Sequence, residues 1–177
     1  MNYTPKRNNG TIRALYLGLL ALGLISIVIS GSGGSRRIAF ISISMISLVA
    51  GVYLMMRYEL TTYTYILSAK DDDFDFFVNK ASGKRGSYVC YYLISDVASF
   101  VPYEKDTKNQ LIEKYHNISF YTYTNNAQCK KNVLVFQNAG HYDAIIMESD
   151  EAYDEYLTNA IALVKEKRLV SDDEDDE

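Results

Sequence analysis

The chain has 177 residues, 48% of them apolar and 23% charged, which suits one ordinary domain with a short addition and excludes a large multidomain enzyme or a disordered chain. Two Cys, two Pro and no Trp exclude a disulfide scaffold and a Pro-rich linker. Charge is unevenly divided: residues 1–56 hold no acid and five of the 18 bases, whereas residues 57–177 hold all 22 acids and 13 bases, a local charge of −9. That asymmetry, averaged away in a mean hydropathy of −0.12, is that of a membrane anchor followed by an aqueous domain.

Residues 12–30 carry one charge, Arg13 at the outer end, and residues 38–56 carry none. Each stretch makes a helix of about 28 Å, close to the ~30 Å hydrocarbon core of a bilayer. The Gly- and Ser-rich residues 31–37 between them suffice to reverse the chain, with Arg36 and Arg37 at headgroup level, so the segment reads as a transmembrane hairpin. A cleaved signal peptide competes for the first stretch, because Lys6, Arg7 and Arg13 supply a basic flank and Ser30, Gly31 and Ser32 small residues. Against it stand an apolar core longer than the usual ~7–15 residues and the second apolar run that follows at once. Lys6, Arg7, Arg13 and Arg57 outnumber Arg36 and Arg37, which sets both termini in the cytoplasm, where Cys90 and Cys129 stay unpaired. Ala14 and Gly18 stand four apart, as do Ser47 and Gly51, and these pairs are candidates for the hairpin seam or a dimer contact. No acid, Lys or His lies mid-membrane, which argues against a pump or proton relay.

From Tyr58 the composition turns to Tyr, Thr, Phe and Val. Strands are expected over 58–67, 74–80, 88–94, 98–103, 118–123, 131–137 and 141–147. Acidic residues 70–73 and the Gly-bearing segment 81–86 form turns, Asn138-Ala-Gly140 signals a tight hairpin, and the polar segment 104–116 is a link. The period then changes. Tyr153, Tyr156, Leu157, Ala160, Leu163 and Val164 make the stripe of an amphipathic helix over about 150–166, with Ser149 as N-cap and acids and bases placed to complement its dipole. The acid-rich residues 169–177 read as a disordered tail.

Seven strands and a terminal helix is the element order of bacterial pleckstrin-homology-like (PH-like) domains, which this chain resembles. It is similar, more closely, to an uncharacterised family of bacterial membrane proteins with two N-terminal spans and such a domain. The residues carrying the resemblance are Tyr58-Glu-Leu-Thr after the second span, Phe74-Asp-Phe-Phe before the Gly83-Lys-Arg85 turn, Phe120-Tyr-Thr-Tyr123, and Met147-Glu-Ser-Asp-Glu151. It implies an α+β fold: a two-helix anchor over 1–57, then a PH-like domain over 58–168 of about seven antiparallel strands capped by the C-terminal helix. It implies no activity.

Catalytic signals are lacking. His116 and His141 have no metal-ligand spacing, Cys90 lies mid-strand, and Asp71, Asp72 and Asp73 lack the spaced ligands and Gly of a Ca²⁺ loop, so no metal, cofactor or catalytic residue is expected. A charge of −9 disfavours nucleic acid. The 16 Tyr among 23 aromatics suit sheet packing first and a partner surface second. Inositide recognition of the kind found in eukaryotic PH domains is disfavoured, because the first strand–strand loop carries three Asp and one Lys. The next turn, with Lys80, Lys84 and Arg85, comes back toward the bilayer if the first strand leaves directly from the second span, and anionic lipid favours that by about 1 kcal/mol per base. The expected function is that of a membrane-tethered binding or assembly module, with a homo-oligomer or another membrane protein as partner. The alternative is an accessory subunit of a membrane enzyme or transporter.

Overall fold

The computed structural model describes all residues except 32–35, 72, 84, 127, 128 and 175–177, and side chains as far as residue 168. The chain divides into two compact units. One comprises Arg7–Thr62 with Asn125–Gln128, the other Met1–Lys6, Tyr63–Thr124 and Cys129–Glu177.

The first unit is built on two long helices, α1 (Gly10–Gly31) and α2 (Arg37–Met55), packed on each other. Both are long and apolar enough to cross a membrane, and only 17% of each apolar window is buried, whereas the core helix of a soluble protein is mostly buried. Leu24, Val28, Ile38, Ile46 and Val49 point outward, apolar surface that water does not tolerate over such an area. The turn expected over 31–37 lies mainly outside the described residues. After α2 the chain stays helical for one wide turn, Met56–Leu60, where a strand was expected from Tyr58. Thr61 closes it by donating from Oγ1 to the Met56 carbonyl, and the β-branched Thr61–Thr62 pair then turns the backbone extended.

The second unit holds two four-stranded sheets. In the first, β1 (Asn2–Tyr3), β2 (Thr61–Lys70), β3 (Asp73–Ser82) and β4 (Arg85–Leu93) lie in sequence order. β1 was not foreseen: residues expected in the anchor segment pair instead with β2, Asn2 opposite Ile66 and Tyr3 opposite Tyr65. The second sheet has the order β5-β7-β8-β6, from β5 (Val97–Pro102), β6 (Ile118–Thr122), β7 (Lys131–Asn138) and β8 (His141–Glu148). The β7–β8 hairpin turns through Ala139 and Gly140 with φ of 42° and 90°, the positive values a two-residue turn requires.

Two expectations change here. Residues 104–116 are not a plain link, because Thr107–Lys114 forms a helix, α3, with Leu111 and Tyr115 buried. The strands are also not all antiparallel: β6 runs parallel to β8, Ile118 opposite Tyr142. The two findings have one cause. β5 and β6 occupy opposite edges of the sheet and point the same way, a connection that needs a crossover, and α3 is that crossover. It covers one face of the sheet through Val133, Val135, Ala144 and Ile146, while the other face joins the inter-sheet core. Covered on both sides, β7 buries five residues in a row, Asn132 to Phe136.

The inter-sheet core alternates as a half-buried strand should: Tyr63, Tyr65 and Leu67 of β2 and Phe76 and Val78 of β3 face Leu134, Phe136, Ile145 and Met147. The terminal helix α4 (Glu151–Glu174) lays Tyr153, Leu157, Ala160 and Val164 onto this core; Tyr156 and Leu163 of the expected stripe stay 37% and 45% exposed. Its N-cap is Asp150, which accepts the Tyr153 N–H at 2.9 Å, not Ser149, whose hydroxyl accepts from Asn132 Nδ2. The helix continues to Glu174, so 169–174 of the expected disordered tail are helical, and 175–177 lie outside the described residues.

Candidate functional site

Within the helical pair the seam is made by Tyr16, Gly23 and Ser26 of α1 and Ser44, Ser47 and Gly51 of α2. A Cβ on Gly23 would lie 2.6 Å from Leu48 Cγ, so a larger residue there forces Leu48 to shift, and one on Gly51 would lie 3.0 Å from Leu20, a tight contact. Ser47 and Gly51 lie in this seam, as does Gly23, whereas Ala14 and Gly18 are exposed, with nothing within 4 Å of a Cβ on Gly18. At the base of the pair Asn9 Nδ2 donates to the carbonyls of Tyr58 and Asn125 at 3.1 and 2.9 Å.

The first sheet has charged ends of opposite sign. β2 and β3 are ten residues each with a two-residue link, so the β3–β4 turn returns to the end of the sheet where β2 begins. Lys80 and Arg85 are exposed there, with no ion-pair partner among the described residues; Lys84, assigned to the same group, lies outside them. Three residues into β4, Tyr88 is 68% exposed on the outer face, its ring 5.5 Å from that of Phe77. Asp71, Asp73, Asp75 and Asp96 gather at the opposite end, Asp75 accepting from the Tyr91 hydroxyl and Asp73 from the Ser95 N–H. The bases were legible in the sequence; Tyr88 was not, because its outward aim depends on the bulge at Val78/Asn79.

Elsewhere the polar chemistry is structural. Asp143 is 3% exposed, and its Oδ2 accepts from Tyr92 OH and Asn138 Nδ2, each at 3.1 Å, with His141 Nε2 at 3.4 Å, while Oδ1 is unpartnered. Nothing in the sequence marked this cluster, because its members come from three strands of two sheets. Tyr65 ties the core together, its hydroxyl donating to the Tyr123 carbonyl at 2.5 Å and accepting the Glu148 N–H at 3.1 Å. Burial and then Asp143 push the Cys90 thiol up to about 12, and burial and then Glu148 push Cys129 up to about 11. Both thiols stay protonated at neutral pH. A cleft of about 350 Å³ opens between β5 and α3, lined by Ser99, Val101, Gln110, Leu111 and Lys114. Of its two hydroxyls, Thr107 Oγ1 donates to the Pro102 carbonyl and accepts the Glu104 N–H, while Ser99 Oγ is buried without a hydrogen-bond partner. Among the described residues no group of three or more His, Cys, Asp or Glu side chains is placed to hold a metal ion.

Comparisons with protein-family models, curated proteins and solved structures give no match.

Proposed function

We propose that this chain is a two-span integral protein of a bacterial cell membrane with both termini in the cytoplasm, whose β unit is a non-catalytic, PH-like binding and assembly module. One observation carries the reading. β1, which precedes the two apolar helices, is a strand of the sheet that follows them, with Tyr3 opposite Tyr65. Both flanks of the helices must then lie on one side of a bilayer, as two spans require and a single span forbids. A cleaved leader is disfavoured for the same reason, since cleavage near residue 30 would remove Tyr3 from the core. PH-like kinship is supported by the two facing sheets and the terminal helix laid on their shared core, and the crossover through α3 would be this chain's own departure. The cytoplasmic side rests on the basic flanks. The protonated thiols favour binding over chemistry.

A second reading, an accessory subunit of a membrane complex, draws on Ala14 and Gly18: left out of the seam, they present small residues on α1 where another helix can approach closely. Mild-detergent extraction with crosslinking and affinity pull-down separates the two. A ladder of this chain alone supports self-assembly, a different protein in fixed ratio supports the subunit, and full-length chain in the soluble fraction would sink both.

A further inference from the structure

The polarity of the first sheet bears on where the β unit rests. Lys80 and Arg85 stand at the end of the sheet where β2 begins, and β2 opens one residue after the helical chain ends at Leu60. Whatever the tilt of the strands, that end is held by the covalent chain within a few residues of the second span. It combines two bases with an exposed aromatic ring, Tyr88, roughly 10 Å along β4 from the turn. Tyrosine beside Lys and Arg is the pairing suited to a headgroup layer, where the ring meets the acyl boundary and the cations meet phosphate. The acids Asp71, Asp73, Asp75 and Asp96 lie at the far end and outnumber the bases described there, Lys70 and Arg168, which donates to the Ser95 carbonyl, so an anionic surface favours one end over the other.

We propose that the β3–β4 end of the first sheet, through Lys80, Arg85 and Tyr88, lies on the anionic headgroups of the bilayer that holds this chain's own two helices. The inference rests on reading α1 and α2 as an anchor. It concerns a different turn from the acidic one between β2 and β3, and it needs no lipid pocket, only a charged plane at a fixed distance from the tether. The contact would hold the domain against the membrane and leave the β5–α3 cleft and the β6 edge for a partner.

The absence of Trp supplies the test. Three full-length variants, each with a single Trp, are reconstituted in nanodiscs containing anionic lipid brominated near the headgroup end of its acyl chains. Tyr53→Trp reports from α2, where the side chain is 62% exposed; Tyr88→Trp reports from the proposed contact; Tyr121→Trp reports from β6, 42% exposed. Quenching is expected at positions 53 and 88 and not at 121. Adding Lys80→Gln and Arg85→Gln, or replacing the anionic lipid with a zwitterionic one, is expected to lower quenching at 88 by about twofold or more and leave 53 unchanged. Quenching at 53 with none at 88 beyond that at 121 overturns the contact and spares the anchor, and no quenching at any position overturns both. Quenching at 88 that persists without the bases or the anionic lipid overturns the electrostatic basis.

Discussion

The ring of Tyr3 stacks on that of Tyr153, centroids 5.0 Å apart and planes 23° from parallel, so a residue from before the apolar helices lies against the terminal helix of the β unit. Tyr3 also stacks at 6.2 Å on Tyr65, and Thr4 is hydrogen-bonded to the Thr64 hydroxyl. Tyr3→Ala is expected to destabilise the β unit by about 2–3 kcal/mol, while Thr4→Ala, at an exposed contact, costs less than about 1 kcal/mol. Denaturant unfolding of the detergent-solubilised chain, followed by near-ultraviolet circular dichroism, measures both. Equal and negligible effects would remove β1 from the fold.

The helical seam gives a paired prediction. Gly23→Ile drives a branched side chain into Leu48 and the Ser44 carbonyl, whereas Gly18→Ile meets open space. Overpacking of this kind costs about 1–3 kcal/mol, so thermal stability in detergent should fall for the first and hold for the second. If Gly18→Ile instead abolishes a crosslinked oligomer while stability holds, the exposed face of α1 is a contact between molecules.

Asp143 is a buried carboxyl shared by strands of both sheets. Asp143→Ala leaves the Tyr92 hydroxyl and the Asn138 amide without their acceptor, and a loss of about 2–4 kcal/mol is expected. Tyr92→Phe removes one donor and keeps the ring on Phe136, 4.3 Å away, so its cost stays near 1 kcal/mol. Urea titration of the two variants ranks them; the reverse order would show that packing, not the carboxylate, holds this end of the sandwich.

Alkaline pH should unfold the β unit. Burial, the largest influence in each case, holds Cys90, Tyr3 and Tyr123 up to about 12, against 9.0 for an ordinary thiol and 10.0 for an ordinary phenol. Between those values the folded chain keeps protons that the unfolded chain releases, so stability falls as pH rises from about 9 to about 12. Tyrosinate absorbance should therefore show some of the tyrosines ionising late, in one cooperative step that coincides with loss of the near-ultraviolet signal. Gradual ionisation of all tyrosines near the ordinary phenol value would count against the buried network.

The apolar helices were legible to within two residues because each is a long apolar run whose one charge, Arg13 or Arg37, lies at its end. Most strands were legible too, because segments such as 61–67 and 74–78 are rich in β-branched and aromatic residues. The missed elements had no such local signal. Asn2 and Tyr3 are too few to show a period, and they become a strand only because β2 presents an edge. The crossover through α3 carries two buried apolar residues, Leu111 and Tyr115, in a polar segment, so its helical stripe is faint, and the parallel placement of β6 follows from that helix. Ser149 looked like the N-cap because the choice between neighbouring hydroxyl and carboxylate depends on Asn132, distant in sequence, which claims the hydroxyl. The place of Gly23 in the seam was hidden for a similar reason: small spacing is a property of one helix, and contact is a property of two.

The strand formed by Asn2 and Tyr3 also orders events during biosynthesis. These residues leave the ribosome before both oily segments and their partners Tyr65 and Ile66 only after them, so in the proposed two-span arrangement the sheet must wait until insertion has been completed. A chain that threaded one segment and not the other would strand its leading residues across the lipid from the sheet they complete. The result would be a frayed edge and an uncovered tyrosine ring, a defect that proteolytic surveillance can recognise.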